Sequence, residues 1–415
     1  MASLAIIGFG NRGMMFGKIA KEENVKVTAV CDSDAERCDE ATVLCGVPKN
    51  MVFTDAEKFF AQGKLADVLL ISTLDETHHE IAIKAMETGY DILLEKPIAL
   101  KMEDILNINE TANKLGCKVG VCHVLRYMPM YKKMKELIDS GVIGKVMNIS
   151  QTENVGYYHF AHSFVRGNWH NSKETCPSIL AKCCHDLDLI VWLTGKNCLA
   201  LSSFGGLNYF TAENAPAGAT ERCKDCPHKN VCTYSGYVIY SLHPTMVKQP
   251  CIREYTVENA FDVLNDNNTC YDKCVYKCDN DVCDHQEVIM TLEDGVLGHL
   301  TMQAFSGAIY RRTQVCGSLG EINATIEQDG KMTLSLFGKE ERSFDFTSTD
   351  ELSHHSGSDR LLFKDFMRFV DGNGKSVCLT DISKSIESHV MALKAEESRL
   401  NNGKSVTLNL NNFKL

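Results

Sequence analysis

The sequence predicts an α/β protein built from two domains. A doubly wound parallel sheet is expected over residues 1–122. An α+β domain with a mostly antiparallel open sheet is expected over 123–415. Three observations carry this reading. A length of 415 residues exceeds one ordinary hydrophobic core. Short apolar runs alternate with helical stretches up to residue 122, the pattern of parallel strands covered on both faces. Beyond that point strands follow one another with few helices between them, the rhythm of an antiparallel sheet.

In the first part, Leu4–Gly8 is an apolar strand followed by helix to about Lys21. Val25–Asp32 is rich in β-formers and Asp34–Cys45 is helical. Val68–Thr73, Asp91–Glu95 and Lys118–Cys122 complete the strands, with helices at Glu76–Gly89 and Met102–Leu115 between them. Right-handed crossovers would then place a ligand at the carboxyl ends of these strands. In the second part, helix Met130–Ser140 ends at Gly141, Val146–Gln151 is a strand, and Ser178–Thr194 is an amphipathic helix ending at Gly195. Strands are expected around Val288–Leu292, Val296–Phe305, Arg312–Gly317, Glu321–Glu327 and Met332–Phe337. The last helices, within about 359–400, should cover this sheet or return to the first domain.

The composition narrows the partners. A net charge of −11 argues against nucleic acid, whose phosphates need a basic face. No apolar run approaches the roughly 20 residues that cross a bilayer, so no membrane partner is expected. The start reads as a buried strand without a signal peptide's cationic region, and cytoplasm is the expected compartment. Copies of the chain are expected to associate through the C-terminal sheet.

The chemistry begins at Gly8-Phe9-Gly10-Asn11-Arg12-Gly13, between the first strand and the first helix. Glycines there permit a tight turn and let backbone N–H groups approach a pyrophosphate at the positive end of a helix. Asp32, 19 residues after Gly13, can accept hydrogen bonds from an adenosine ribose and repel a 2′-phosphate. NAD is therefore expected rather than NADP, a preference that Arg12 and Arg37 soften. Ser72, Thr73, Leu74 and His78 end one later strand, and Glu95-Lys96-Pro97 ends the next.

Together and at these separations, Gly8–Gly13, Asp32, the Thr73–His78 segment and Glu95-Lys96-Pro97 resemble the glucose–fructose oxidoreductase, inositol dehydrogenase and MocA (Gfo/Idh/MocA) family. Arg126-Tyr127-Met128-Pro129 with Gly141 and Gly144, and Ser388-His389 with Glu396 and Arg399, extend the resemblance over nearly the whole chain. It implies an N-terminal Rossmann domain, a C-terminal α/β domain, and hydride exchange between nicotinamide and a sugar-like hydroxyl or ketone, with Lys96 at the reacting oxygen. The chain departs from the family's pattern twice. Leu74 stands where many members have Pro. Ala181 stands four residues before His185, where members often carry the Asp of an Asp–His pair.

On the Ser178–Thr194 helix, Lys182, His185 and Asp186 fall at i, i+3 and i+4 and can converge. Lys182 with Lys96 and His185 would make a cationic site suited to an alkoxide or enolate. His162, Arg166 and Trp169 are candidates to hold a sugar, and His123, Arg126 and Tyr127 to reach the nicotinamide edge. Cys223-x2-Cys226-x5-Cys232, followed by Cys270, Cys274, Cys278 and Cys283, forms a cysteine-rich insertion over about 211–285. Its spacing predicts structural zinc on Cys223, Cys226, Cys232 and Cys274. Cys270, Cys278 and His228 are rival ligands, and an iron–sulfur cluster or free thiols are the alternatives. Three functions compete: an NAD(H)-dependent dehydrogenase acting at a carbinol carbon of a sugar or cyclitol, a glycoside hydrolase that oxidises and re-reduces its substrate on tightly bound NAD, and a non-catalytic NAD sensor.

Overall fold

The computed structural model describes residues 2–247, 255–326, 330–346 and 357–408. Leu4–Ile7 (β1), Val27–Cys31 (β2), Val52–Phe53 (β3), Val68–Ile71 (β4), Asp91–Leu94 (β5) and Val119–Val121 (β6) form one sheet in the order β3-β2-β1-β4-β5-β6. All of its pairings are parallel. Every residue of β1 and β4 is buried, because helices cover both faces; that is why these strands read as unbroken apolar runs. Asp34 caps the helix Ala35–Cys45 by accepting from the Glu36 N–H, and Gly46 ends it in the left-handed region. The strand order reverses between β1 and β4, which opens a crevice at their carboxyl ends.

The second sheet has nine strands among the described residues: Val146–Asn154 (β7), Cys198–Gly206 (β8), His285–Leu292 (β9), Leu297–Gln303 (β10), Tyr310–Gly317 (β11), Gly320–Ile326 (β12), Lys331–Leu336 (β13), Arg342–Asp345 (β14) and Val406–Thr407 (β15). Their order is β14-β13-β12-β11-β7-β10-β9-β8-β15. The pairings are antiparallel except β7 with β10, so the sheet is mixed. Residue 327, expected to end one strand, lies outside the described residues. The nine-residue β8 was not anticipated, since its Ser-Ser-Phe-Gly-Gly end looks like loop. Burial nevertheless alternates along β9 and β10, giving one face to the core.

Two helices complete the frame. Ser178–Thr194 packs beneath this sheet and against Ile382–Leu400. Ser358–Val370 returns to the first domain, where Asp359 pairs with Arg12 and Phe363 meets Phe16 at 6.1 Å; its Asp365 accepts from the Tyr127 hydroxyl. Thr380 donates from its hydroxyl to the Val121 carbonyl, and its own carbonyl accepts from the Val121 N–H. The end of β6 is thereby tied to the start of the last helix. Among the described residues no helix is long and apolar enough to cross a membrane.

Candidate active site

The glycine loop has the geometry its sequence promised. Gly8 has φ +88°, and a Cβ there would lie 2.5 Å from the Ser72 carbonyl carbon. A Cβ on Gly13 would lie 2.0 Å from the Gly8 carbonyl oxygen. Ser72 pins the turn by donating to that oxygen at 2.7 Å. Gly10 differs, for a Cβ there would meet only Arg37, at 3.6 Å. It caps the helix Asn11–Glu22, which has neither a side-chain cap nor an acidic residue in its first turn. The helix therefore keeps free first-turn N–H groups beneath an uncrowded glycine, which suits a pyrophosphate.

Asp32 is buried, with Oδ2 accepting from the Phe9 N–H at 2.6 Å and Oδ1 from the Asp34 N–H at 2.9 Å. Arg37 stands 3.8 Å away. Arg12 turns from the loop to Glu95, at 2.6 Å, and to Asp359, at 2.6 Å. Burial opposes ionisation of Glu95, but Arg12 and then Lys96 outweigh it and hold its pKa below the usual range. His78 is fully buried, its Nδ1 2.7 Å from the Pro97 carbonyl and its Nε2 3.4 Å from that of Thr73, and so braces the two strand ends. Thr73 bonds to Thr77, and Leu74 is half exposed.

Lys96, at the carboxyl end of β5, donates from Nζ to the Ala181 carbonyl at 2.9 Å. His185 lies one turn further along that face of the Ser178–Thr194 helix. The two domains thus bring Lys96 and His185 together. Behind them stand two more histidines. His123 Nδ1 is 3.3 Å from His185 Nδ1, and the His389 ring lies 5.4 Å from that of His123. Burial pushes His123 down to about 4 and His389 to about 3. His389 entered the sequence reading only as part of the family resemblance.

Several expected substrate contacts are instead structural. Arg126 is buried in a two-pronged pair with Asp188, at 2.7 and 2.6 Å. Burial opposes the Asp188 charge, but Arg126 prevails and keeps its pKa low. Tyr127 is spent on Asp365, at 2.7 Å. Asp186 faces the sheet, bonded to Gln151 at 2.8 Å and Arg311 at 2.9 Å, with burial raising its pKa. Lys182 is paired with a carboxylate of the second sheet. Its Nζ lies 3.2 Å from the buried Glu153, which also pairs with Arg311 at 2.7 Å. An i, i+3 spacing puts Lys182 beside His185 on the helix, but β7 supplies the nearer carboxylate, a long-range partner that helix spacing cannot reveal.

His162 and Arg166 pack against the cysteine-rich segment. His162 stacks on Tyr271 at 4.5 Å and bonds the Tyr240 hydroxyl at 2.8 Å. Arg166 is buried and donates to the Lys273 and Tyr234 carbonyls. Trp169 donates to Asp75 at 2.8 Å and so links the loop to the first domain. Cys223, Cys226, Cys232 and Cys274 do line one small cavity, with His228 and Arg166. Among the described residues, however, no group of three or more His, Cys, Asp or Glu is arranged so that it could hold a metal ion. Cys223 Sγ instead lies 3.7 Å from Arg166 Nη2, and His228 Nε2 is spent on the Ala217 carbonyl.

Comparison with known proteins agrees with this geometry. Residues 2–123 match the oxidoreductase family's NAD-binding Rossmann fold, and residues 135–408 its C-terminal alpha/beta domain. The 2,7-anhydro-N-acetylneuraminate hydratase of Mediterraneibacter gnavus is 29% identical over 203 residues, 49% of this chain and 52% of its own. The inositol 2-dehydrogenase/D-chiro-inositol 3-dehydrogenase of Lactiplantibacillus plantarum is 26% identical over 193 residues, 46% and 51% of the two chains. The chain thus spans about half the length of these curated relatives. An inositol dehydrogenase homologue from Azotobacter vinelandii, solved with NAD+, superposes with a TM-score of 0.69 at 15% identity, covering 98% of this chain and 97% of that one, and shows the shared fold. With both of its domains matched, the chain belongs to the Gfo/Idh/MocA family of NAD-binding oxidoreductases.

Proposed function

We propose that the chain is an NAD(H)-dependent oxidoreductase acting at a carbinol carbon of a sugar, sugar derivative or cyclitol. One observation carries this reading: the Lys96 amine, at the carboxyl end of β5, is held by the Ala181 carbonyl one turn before His185. The Gly10 cradle and the buried Asp32 fit the pyrophosphate and ribose of NAD, which when bound accepts or returns a hydride. Lys96 in its neutral form removes the hydroxyl proton, and the Ala181 carbonyl orients Nζ for that transfer. His185 holds the same oxygen from the helix, and Trp169, bonded to Asp75, walls the loop side. The buried histidines behind His185 keep water from that edge.

The second reading, a redox-neutral elimination on NAD that stays bound, is favoured by the similarity to anhydroneuraminate hydratases. One experiment tests both readings. Purified protein is incubated with cyclitols, aldoses and anhydro-sugars, and NADH absorbance and product are followed separately. Net NADH marks the dehydrogenase, whereas product without net NADH marks the second reading. In either case Lys96→Ala should lower turnover by about two orders of magnitude or more while keeping NAD affinity. Near-native turnover would remove Lys96 from the chemistry.

Two finer points belong to the same proposal. The thiol cavity would close on zinc, a reading supported by four cysteines around one space beside a buried guanidinium. Elemental analysis of protein purified without chelator decides it. Copies would pair through the outer face of the second sheet, where Phe204, Ile289 and Leu297 are exposed on adjacent strands.

A further inference from the structure

The buried histidines set the proton of His185. His389 is fixed first: its Nε2 accepts from the Ile98 N–H at 3.0 Å, so its proton sits on Nδ1, which donates to the Ser385 carbonyl at 2.8 Å. His123 lies between His389 and His185. Its Nε2 is buried and has no hydrogen-bond partner among the described residues. Inside folded proteins an orphaned buried N–H is rarer than an under-satisfied acceptor. The His123 proton therefore belongs on Nδ1, the atom 3.3 Å from His185 Nδ1. His123 is then the donor of that hydrogen bond and His185 the acceptor.

We propose that His123 is a positioning residue that locks neutral His185 with its proton on Nε2, so that His185 serves the reacting oxygen as a hydrogen-bond donor and not as the base. An Asp partner would do the opposite, since a carboxylate accepts from Nδ1–H and leaves Nε2 as a base. This chain has a methyl group, Ala181, four residues before His185, and His123, just past β6, reaches the His185 ring instead. The polarity of the pair is thus reversed, and proton removal falls to Lys96. The groups facing His123 are His185 on its own helix, His389 on the last helix, Asp188 with Arg126, and Lys96 with Glu95. The proposal rests on reading the Lys96–His185 face as the active site.

The test reads the tautomer directly, by 15N NMR of ring-labelled histidine at neutral pH, with the His185 signals assigned by their loss in His185→Gln. The wild type should show His185 protonated on Nε2. His123→Asn can place an amide donor where Nδ1 was and should keep that tautomer, with turnover within about threefold of wild type. His123→Asp offers only an acceptor and should move the His185 proton to Nδ1, lowering turnover about tenfold or more, the loss of one hydrogen bond to the reacting oxygen. A wild-type His185 protonated on Nδ1, or one tautomer shared by the Asn and Asp variants, overturns the proposal. If His123→Asp fails to fold, the wild-type spectrum still decides. Should Lys96→Ala leave turnover intact, the site reading fails while the tautomer assignment stands. A reversed tautomer with an inactive Lys96→Ala sinks only the proposal made here.

Discussion

Acid should unfold this protein through two histidines that the fold keeps neutral. Burial holds His123 near 4 and His389 near 3, against about 6.5 for an unfolded chain. Because the folded pKa values are depressed, this component of stability is complete above about pH 6.5 and declines as the pH falls toward 4. At pH 5 the unfolded chain binds nearly two more protons at these positions than the native one. Each site then costs about 2 kcal/mol, and the pair about 4 kcal/mol, relative to pH 8. That is a large share of an ordinary stability of about 5–15 kcal/mol. The assay is urea unfolding at pH 8, 6.5 and 5, for the wild type and for a variant carrying His123→Asn and His389→Gln. The variant starts less stable, since Ile98 and Ser385 lose their imidazole partner, but its stability should depend less steeply on pH. Parallel pH dependences for the two proteins would refute the reasoning, because the histidines would then already be charged in the native state.

Two further substitutions probe the frame around the site. Asp188→Ala strands the Arg126 guanidinium in the core and should destabilise the protein by about 3–5 kcal/mol, measured by urea unfolding; a loss below about 1 kcal/mol would mean that Arg126 is not committed to Asp188. Gly8→Ala puts a Cβ 2.5 Å from the Ser72 carbonyl carbon at φ +88°; it should cost about 1–2 kcal/mol for the backbone conformation alone and weaken NAD binding measured by calorimetry, and an unchanged affinity would show that the loop does not cradle the cofactor.

What the sequence made legible follows the range of each signal. The parallel sheet could be read because strand, glycine turn and helix are local, and β1, β4 and β5 are apolar throughout. Lys96 and His185 were readable as motifs, but their meeting required the fold, since residue 96 reaches a carbonyl at residue 181. Charged residues misled most. Arg126, Asp186 and Lys182 look like substrate contacts in a row of letters, yet each is matched to a buried partner far away in sequence: Asp188, Arg311 and Glu153. No periodicity reports such pairs. The cysteine spacing correctly gathered four thiols around one cavity, but spacing alone does not set side-chain directions, and Arg166 lies against Cys223.

The Lys182–Glu153 pair also changes how charge is shared across the site. An alkoxide at the reacting carbon needs donors aimed where negative charge develops. With Lys182 turned to a buried carboxylate, its charge is largely answered inside the second domain, and Lys96 meets no competing ammonium from the helix. On the proposed reading, base and oxyanion donor come from different domains, Lys96 from the end of β5 and His185 from the Ser178–Thr194 helix. Their register depends on the ties between those domains: Arg12 to Asp359, Trp169 to Asp75 and Val121 to Thr380. Loosening any of these contacts should separate the base from the donor before it disturbs either domain's own core.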